Sequence, residues 1–379
     1  MTGVEHHLNF VDKVNLGSYY TPDKIVRLAY NLMEKYISNF NQYVILDTSC
    51  GYGSFFNCTN LKKIGADIDN IAINKAKSIY KTVTFLNHNS LLNVSRKQYN
   101  IIDNDKLLIV GNPPYNDTTS LIRNNIKKNN TLIDADLKTR DLGMSFLLSY
   151  NKLSADYICV LHPLSYLIKE SNFNLLKNFT LNYKLIDGII INSQEFSDTV
   201  KNTAFPIIIA LYKRDNLGMD YQFIQKYLFK TLEGKFFKLT DFDKISNYIT
   251  KYPNKNNISL DNTIAFFWTM RDINALKRTK TFIPNENYNS IRVTKDNIEY
   301  YCYVDIFKEY IKHIPYYLGN SDIFIDNIEF QKIKTIFKQT SLSKYRFFKH
   351  YYKYNTDISY KLILEHYFKN LLGEHYVNY

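Results

Sequence analysis

The chain has few of the residues that build small secreted or metal-stapled folds. Only 4 of its 379 residues are cysteines. Cys50, Cys58, Cys159 and Cys302 are scattered and form no CxxC pair, which argues against a disulfide framework or a zinc module and suits reduced thiols in a cytoplasm-like compartment. With 12 glycines and 8 prolines, the chain is no collagen-like or linker-dominated sequence. No stretch reaches the roughly 18 apolar residues that cross a bilayer. The densest run, Phe205–Tyr212, reads as one buried strand. The N-terminus lacks the positive start and apolar block of a signal peptide, because Glu5 and Asp12 interrupt it. A cytoplasmic protein is the expectation.

Acidic residues are also in deficit, 36 against 48 basic ones, a net charge of +12. Such an excess favours phosphate-bearing partners. The basic residues are mostly Lys, and Asn, Ile, Tyr and Phe are abundant, so the bias of an AT-rich coding sequence is a competing source of the charge. Distribution says more. Between Glu329 and Asp357 there is no acid, while Lys332, Lys334, Lys338, Lys344, Arg346, Lys349 and Lys353 occur. Tyr345, Phe347, Phe348, Tyr351 and Tyr352 interleave with the last four. Cations beside flat rings suit a nucleic-acid surface, so Lys344, Arg346, Lys349 and Lys353 are candidate nucleic-acid contacts. The alternative is a solvated helix face with its apolar side in a core.

Along the chain, Thr21 and Pro22 open a helix in which Ile25, Leu28, Ala29, Leu32 and Tyr36 recur at helical spacing. Strand candidates follow at Tyr43–Asp47, up to Asp67, near Leu86, and at Leu107–Gly111, Tyr157–Leu161, Leu185–Ile191 and Pro206–Tyr212. Helical spacing recurs in Ile71–Tyr80 and Leu142–Leu153. Seven short apolar strands alternating with helices predict a mainly parallel, doubly wound α/β sheet. Beyond Lys213-Arg214-Asp215-Asn216 the alternation ceases, and residues 216–379 carry 24 basic and 17 acidic side chains. A domain boundary near 215 is expected, with residues 1–215 forming the sheet domain and 216–379 an α+β domain.

The sharpest motif is Asn112-Pro113-Pro114-Tyr115, directly after an apolar strand. In an open parallel sheet, ligands sit beyond the carboxyl ends of the strands. Two successive prolines hold the backbone extended and rigid. The Asn112 side-chain oxygen and the Pro113 carbonyl then stand as two acceptors, and Tyr115 can lay its ring on a flat substrate. An amino group on a nucleobase is a poor nucleophile because its lone pair is delocalised into the ring. Two acceptors gripping its N–H bonds favour a tetrahedral nitrogen aimed at an electrophile. The second motif, Asp47-Thr48-Ser49-Cys50-Gly51-Tyr52-Gly53, is a strand end and small-residue loop through which backbone approaches a ligand. Phe56 stands where a dinucleotide fingerprint has its third glycine, which disfavours NAD or FAD. Asp67, twenty residues after Asp47, suits ribose hydroxyls. Asn89, in Asn87-His88-Asn89-Ser90, has the acceptor and donor to read an adenine edge, and His88 reads as structural.

The ordered set resembles the N6-adenine DNA methyltransferases, S-adenosylmethionine enzymes with a Rossmann-like class I domain, over about residues 17–213. The order of motifs is similar to that of the gamma class: cofactor segment, catalytic tetrapeptide, then a target-recognition domain. Gly17-Ser18-Tyr19-Tyr20-Thr21-Pro22 is similar to that class's leading segment. The resemblance implies that Tyr20, Thr21, Pro22, Asp47, Cys50, Gly51, Gly53, Asp67, Ile68, Asn89, Ser90 and Asn112 hold the cofactor. Thr48 replaces a frequent Pro, Asp67 a usual Glu, and Asn89 a common Asp. It further implies that Asn112, Pro113, Pro114 and Tyr115 are catalytic, and that an aromatic stacks on a flipped adenine opposite Tyr115. Phe196 is the first candidate for that ring and Phe205 the second. The implied activity is site-specific methylation of adenine N6 in double-stranded DNA, without a metal, as the modification part of a type II restriction-modification system, with or without a separately acting endonuclease. Enzymes that methylate RNA bases or the glutamine of release factors share Asn-Pro-Pro-Tyr. About 45 residues before the cofactor loop and about 165 after the sheet favour a large nucleic-acid substrate.

Overall fold

The computed structural model describes residues 21–57, 62–115, 132–196, 204–253, 260, 262–348 and 358–378. Two compact units divide the chain, residues 1–236 and 237–379.

The first unit is built on seven strands: β1 (Tyr43–Asp47), β2 (Lys63–Asp67), β3 (Thr84–Asn87), β4 (Lys106–Gly111), β5 (Tyr157–Pro163), β6 (Tyr183–Asn192) and β7 (Pro206–Arg214). Their order in the sheet is β3-β2-β1-β4-β5-β7-β6, and β7 runs antiparallel to both its neighbours. This is the class I methyltransferase sheet that the sequence predicts, with all seven strand candidates in place. Leu107, Leu108, Ile109 and Val110 of β4 are all fully buried. A strand covered on both faces selects such an unbroken apolar run rather than alternation. Helices α1 (Asp23–Tyr36), α2 (Asn70–Ile79) and α3 (Leu142–Lys152) lie among the strands in sequence. Ile25, Val26, Ala29, Leu32 and Met33 of α1 share a core with Ile45, Leu108, Cys159 and Ile209 of the sheet.

Register brings the carboxyl ends of the central strands together. Asp47 pairs across with Gly65, Asp67 with Asn87, and Gly111 with Val160. The chain leaves β1 toward β2 on one side and returns to β4 on the other, so the β1–β4 junction is the switch point of the sheet. Both sequence motifs follow the two strands that meet there.

The boundary falls twenty-one residues beyond the expected 215. Residues 216–236 adhere to the first unit through long-range backbone and ion-pair contacts. Met219 N donates to Thr180 O at 2.8 Å and Leu232 N to Ile190 O at 2.8 Å. Lys230 Nζ lies 2.9 Å from buried Asp187. The loss of strand–helix alternation thus marks the end of the sheet, not of the unit.

The second unit combines an antiparallel sheet of Phe282–Ile283, Ala265–Trp268 and Ser290–Val293 with helices α4 (Ile298–Tyr310), α5 (Asn327–Ser343) and α6 (Ile358–Leu372). The helices meet through rings. Tyr303 lies 5.3 Å from Phe330, 5.1 Å from Phe337 and 6.0 Å from Phe368, measured between centroids. Among the described residues, no helix is long and apolar enough to cross a membrane.

Candidate active site

After β1 the backbone turns sharply, with positive φ at Gly51 (48°) and Gly53 (85°), a conformation costly for a residue with a Cβ. Three hydrogen bonds donated by backbone N–H groups fix the loop. Gly53 N donates to Cys50 O at 2.7 Å, Cys50 N to Ala66 O at 3.0 Å, and Gly51 N to Asp67 Oδ2 at 2.8 Å. The other oxygen of Asp67 accepts from Asp69 N at 2.9 Å. Asp67 therefore fastens the glycine loop to the end of β2, in addition to standing where the sequence places a ribose ligand.

Asp47 is 2% exposed and sits against the end of β4. A Cβ built on Gly111 would lie 2.7 Å from its Oδ1, so only glycine, here at φ 146°, allows this approach. Burial raises the Asp47 carboxyl to about 8, the negative charge of Asp67 adds to the rise, and the Ser49 N–H at 3.1 Å opposes it. Gly111 immediately precedes Asn112, so this contact ties the start of the Asn112–Tyr115 segment to the end of β1, from which the glycine loop departs. Gly111 was not singled out in the sequence, although its place before Asn112 was a signal.

Asn112 Nδ2 donates to Thr21 Oγ1 at 3.2 Å. Thr21 is buried and does not cap α1. Pro22 stands at the N-cap, and its carbonyl accepts from Ile25 N and Val26 N. The Thr-Pro segment and the tetrapeptide are thus joined through a hydroxyl that helix patterning alone would assign to a cap. Tyr20 lies outside the described residues. Pro113 is buried, while Asn112, Pro114 and Tyr115 are half-buried.

Behind Tyr115 stands a wall absent from the sequence reading. A Cβ on Gly143, in the first turn of α3, would lie 3.1 Å from Tyr115 Cβ and 2.5 Å from Tyr166 Oη. Asp141 caps α3 by accepting from Gly143 N at 3.0 Å, and the Tyr166 hydroxyl donates to the same carboxylate. The Tyr166 ring stacks on buried His162 with centroids 5.3 Å apart. An Asp before an apolar-periodic segment was the legible signal here.

The remaining cofactor candidates rim the ends of β2 and β3. Ile68 is exposed. Asn89 uses both ends of its amide within the chain, donating to Leu132 O at 2.8 Å and accepting from Leu91 N at 3.1 Å. Ser90 is buried beside the Tyr99 hydroxyl. Phe196 departs from its expected role. It is 1% exposed, in the core with Phe55, Ile25 and Ile207, and presents no face for stacking. Phe205 is partly buried against the same core.

The cation stripe also departs from expectation. Lys344 pairs with buried Asp305 at 3.1 Å and with Glu309. Lys332 pairs with Glu329, and Lys334 and Lys338 share Glu299. Tyr345 donates to Asp305 at 2.6 Å and packs with Phe348 on Phe282. α4 supplies Glu299, Asp305 and Glu309, the acids that the linear stretch lacks. Arg346 is exposed, and Lys349 and Lys353 lie outside the described residues.

The strand-end loop fits S-adenosylmethionine. Half-buried Gly51 puts no side chain at the rim, Asp67 stands beside it, and the enclosed Ser49 hydroxyl has no hydrogen-bond partner among the described residues.

The sequence matches the family described as N-6 DNA Methylase over residues 7–281, more than half of the chain. No curated protein matches it. Among solved structures, a protein described as a class I S-adenosylmethionine-dependent methyltransferase from Listeria monocytogenes aligns at 17% identity and a TM-score of 0.40, over 56% of this chain and 66% of that one. The methyltransferase subunit of a type I restriction-modification system from Streptococcus thermophilus aligns at 14% identity and a TM-score of 0.40, over 60% of this chain and 48% of that one. A protein described as an RNA methyltransferase from Pyrococcus horikoshii aligns at 13% identity and a TM-score of 0.37, over 53% and 89%. The chain thus spans about two thirds of the first of these and about half of the second.

Proposed function

Because the chain belongs to the N-6 DNA methylase family, S-adenosylmethionine-dependent methyltransferases, we propose that it methylates adenine N6 in duplex DNA at a short recognition site, as the modification enzyme of a type II system. The observation that carries this reading is the contact between Asp47 and Gly111, which ties together the strand ends from which the glycine loop and the Asn112 segment depart, at the switch point of the sheet.

Thr48–Gly53, Asp67, Ile68 and the Thr21-Pro22 segment would hold the cofactor. When bound, S-adenosylmethionine supplies a methyl carbon made electrophilic by a sulfonium. Asn112 Oδ1 and the Pro113 carbonyl accept the two N–H bonds of the substrate amine and so turn its lone pair out of conjugation. The stiffness of Pro113-Pro114 keeps both acceptors in place without reorganisation, which is where fixed dipoles gain over water. The Thr21 hydroxyl accepts from the amide N–H₂ of Asn112, which fixes the orientation of the amide. No strong base is needed, since the proton becomes acidic once nitrogen is alkylated. The target adenine reaches this corner by leaving the helix stack, at a cost of about a few kcal/mol, and the ring of Tyr115 offsets part of it.

Incubation with radiolabelled cofactor and, separately, duplex DNA, RNA and a release factor tests the reading. Label on adenine N6 of duplex DNA is the expected result. Label on RNA or on the glutamine of the release factor, with none on DNA, would replace it.

A further inference from the structure

The stripe of α5 is held in ion pairs, but another set of cations in the second unit is not. The short helix Ile273–Leu276, capped by Asp272, runs into Lys277-Arg278-Thr279-Lys280. Lys277, Arg278 and Lys280 are exposed and make no ion pair among the described residues. Their backbone is nonetheless ordered: Lys277 N donates to Ile273 O at 3.1 Å, Arg278 N to Ala275 O at 3.0 Å and Thr279 N to Leu276 O at 3.3 Å. Beneath the loop, Lys308 Nζ donates to Thr279 O. Thr281, next in the chain, bonds to Tyr345 through the two hydroxyls at 2.7 Å, and Tyr345 precedes exposed Arg346. Phe282 packs on Phe348, the residue two beyond Arg346, at 5.2 Å. Tertiary pairing thus brings Arg346 to the same corner as the Lys277–Lys280 loop. The acids Asp272, Asp305 and Glu309 of the same unit are engaged elsewhere: Asp272 caps the helix through Ala275 N, Asp305 accepts from Thr281, Ser341, Tyr345 and Lys344, and Glu309 pairs with Lys344.

Resting on the DNA reading above, we infer that Lys277, Arg278, Lys280 and Arg346 form a contact surface for the phosphate backbone of duplex DNA. Free cations on a fixed backbone neutralise phosphates with little loss of side-chain pairing elsewhere, and each neutralised phosphate releases condensed counterions. Arg adds bidentate geometry toward phosphate oxygens. The loop also falls within the residues matched by the N-6 DNA Methylase family, which extend to 281.

The test uses the full chain and sheared plasmid DNA, whose mixed sequence isolates backbone contacts. The dissociation constant is measured against salt for the parent, for a variant carrying Lys277→Ala, Arg278→Ala, Lys280→Ala and Arg346→Ala, and for a control carrying Lys332→Ala, Lys334→Ala and Lys338→Ala. The slope of log affinity on log salt should fall by about 0.9 for each phosphate contact removed, hence by roughly 3 to 4 in the first variant and by less than about 1 in the control. Arg278→Lys with Arg346→Lys should keep the parent slope. If the fourfold variant melts early, Lys277→Ala and Arg346→Ala singly should each lower the slope by about 0.9. An unchanged slope in a variant that melts normally overturns the inference, and so does an equal loss in the control. If the parent transfers label to DNA while the slope is unchanged, the surface alone is wrong. A parent that neither binds nor labels DNA overturns both readings, and retention on phosphatidylserine vesicles instead would assign the cations to a membrane surface.

Discussion

The two units place their polar groups differently. In the sheet unit the decisive contacts are made by backbone or by the absence of a side chain: Gly51 N on Asp67, Gly111 under Asp47, Gly143 behind Tyr115. In the helical unit they run from side chain to side chain. Asp305 alone accepts from Thr281, Ser341, Lys344 and Tyr345, drawn from two stretches of sequence sixty residues apart. A backbone-made site leaves a linear trace, because glycines and prolines must stand at fixed offsets from a strand end. A site made by side chains converging from distant positions leaves almost none. Substitutions that act on one unit and spare the other are the means of breaking this contrast.

The largest effect is expected at Asn112. Asn112→Ala removes one of two acceptors aimed at the amine and should lower the transfer rate roughly 10²–10³-fold, the scale of losing one fixed hydrogen-bonding group from an active site. Isothermal titration should find cofactor affinity changed little and DNA binding retained. Parallel loss of rate and DNA binding would count against the assigned role. Next comes Phe337→Ala in the second unit. Phe337 is fully buried among Tyr303, Phe330, Tyr367 and Phe368. Its truncation should destabilise that unit by about 3–5 kcal/mol in denaturant titration. Cofactor binding by the sheet unit should persist at denaturant concentrations where the second unit has opened; simultaneous loss of both would mean that the units share one cooperative transition.

The strands were legible because each is a run whose burial the whole element decides. Val44-Ile45-Leu46 and Leu107–Val110 admit hardly any other placement. The tetrapeptide and the glycine loop were legible because their chemistry is tied to strand ends. Single side chains were not. Phe196 follows a 3-10 turn, where no periodicity says which way one ring points, and it went inward. Thr21 had two equally good uses for one hydroxyl, and only the return of the chain at Asn112, ninety-one residues later, decided between them. Lys344 appeared free because Asp305 and Glu309 lie more than thirty residues earlier on another helix. Segment 216–236 gave no sign of its attachment, because the bonds that hold it reach back to Thr180 and Ile190.

A smaller effect, confined to the sheet unit, concerns pH. The Asp47 carboxyl, at about 8 in the folded chain against 3.8 as the ordinary value, keeps its proton where the unfolded chain has lost it. Between those values the native state binds more protons, so stability falls as pH rises through that window, and the full penalty is reached above the folded value. Asp47→Asn should flatten this dependence. The variant's stability relative to the parent, read by denaturant titration, should be higher at pH 8–9 than at pH 4–5, by an amount on the order of a few kcal/mol. An equal offset at both ends would show that Asp47 is ionised in the folded chain.

The smallest effect is expected where cations are already neutralised. Glu299 holds Lys334 at 3.2 Å and Lys338 at 3.5 Å, and its side chain is 28% exposed. Partly exposed pairs of this kind contribute about 0–1 kcal/mol, so Glu299→Gln should shift stability by no more than that. Its value lies in what it releases. Two lysines on α5 lose this carboxylate while α5 itself is unchanged, which brings the face closer to the cationic stripe that the linear sequence suggests. If that face meets DNA, the salt slope of binding should steepen by up to about 1.8, two contacts at 0.9 each. The expected result is an unchanged slope, because pairing with α4 directs these side chains toward their own fold. A steeper slope would mean that Glu299 restrains a surface that DNA does reach, and that the contrast between paired and unpaired cations is one of degree.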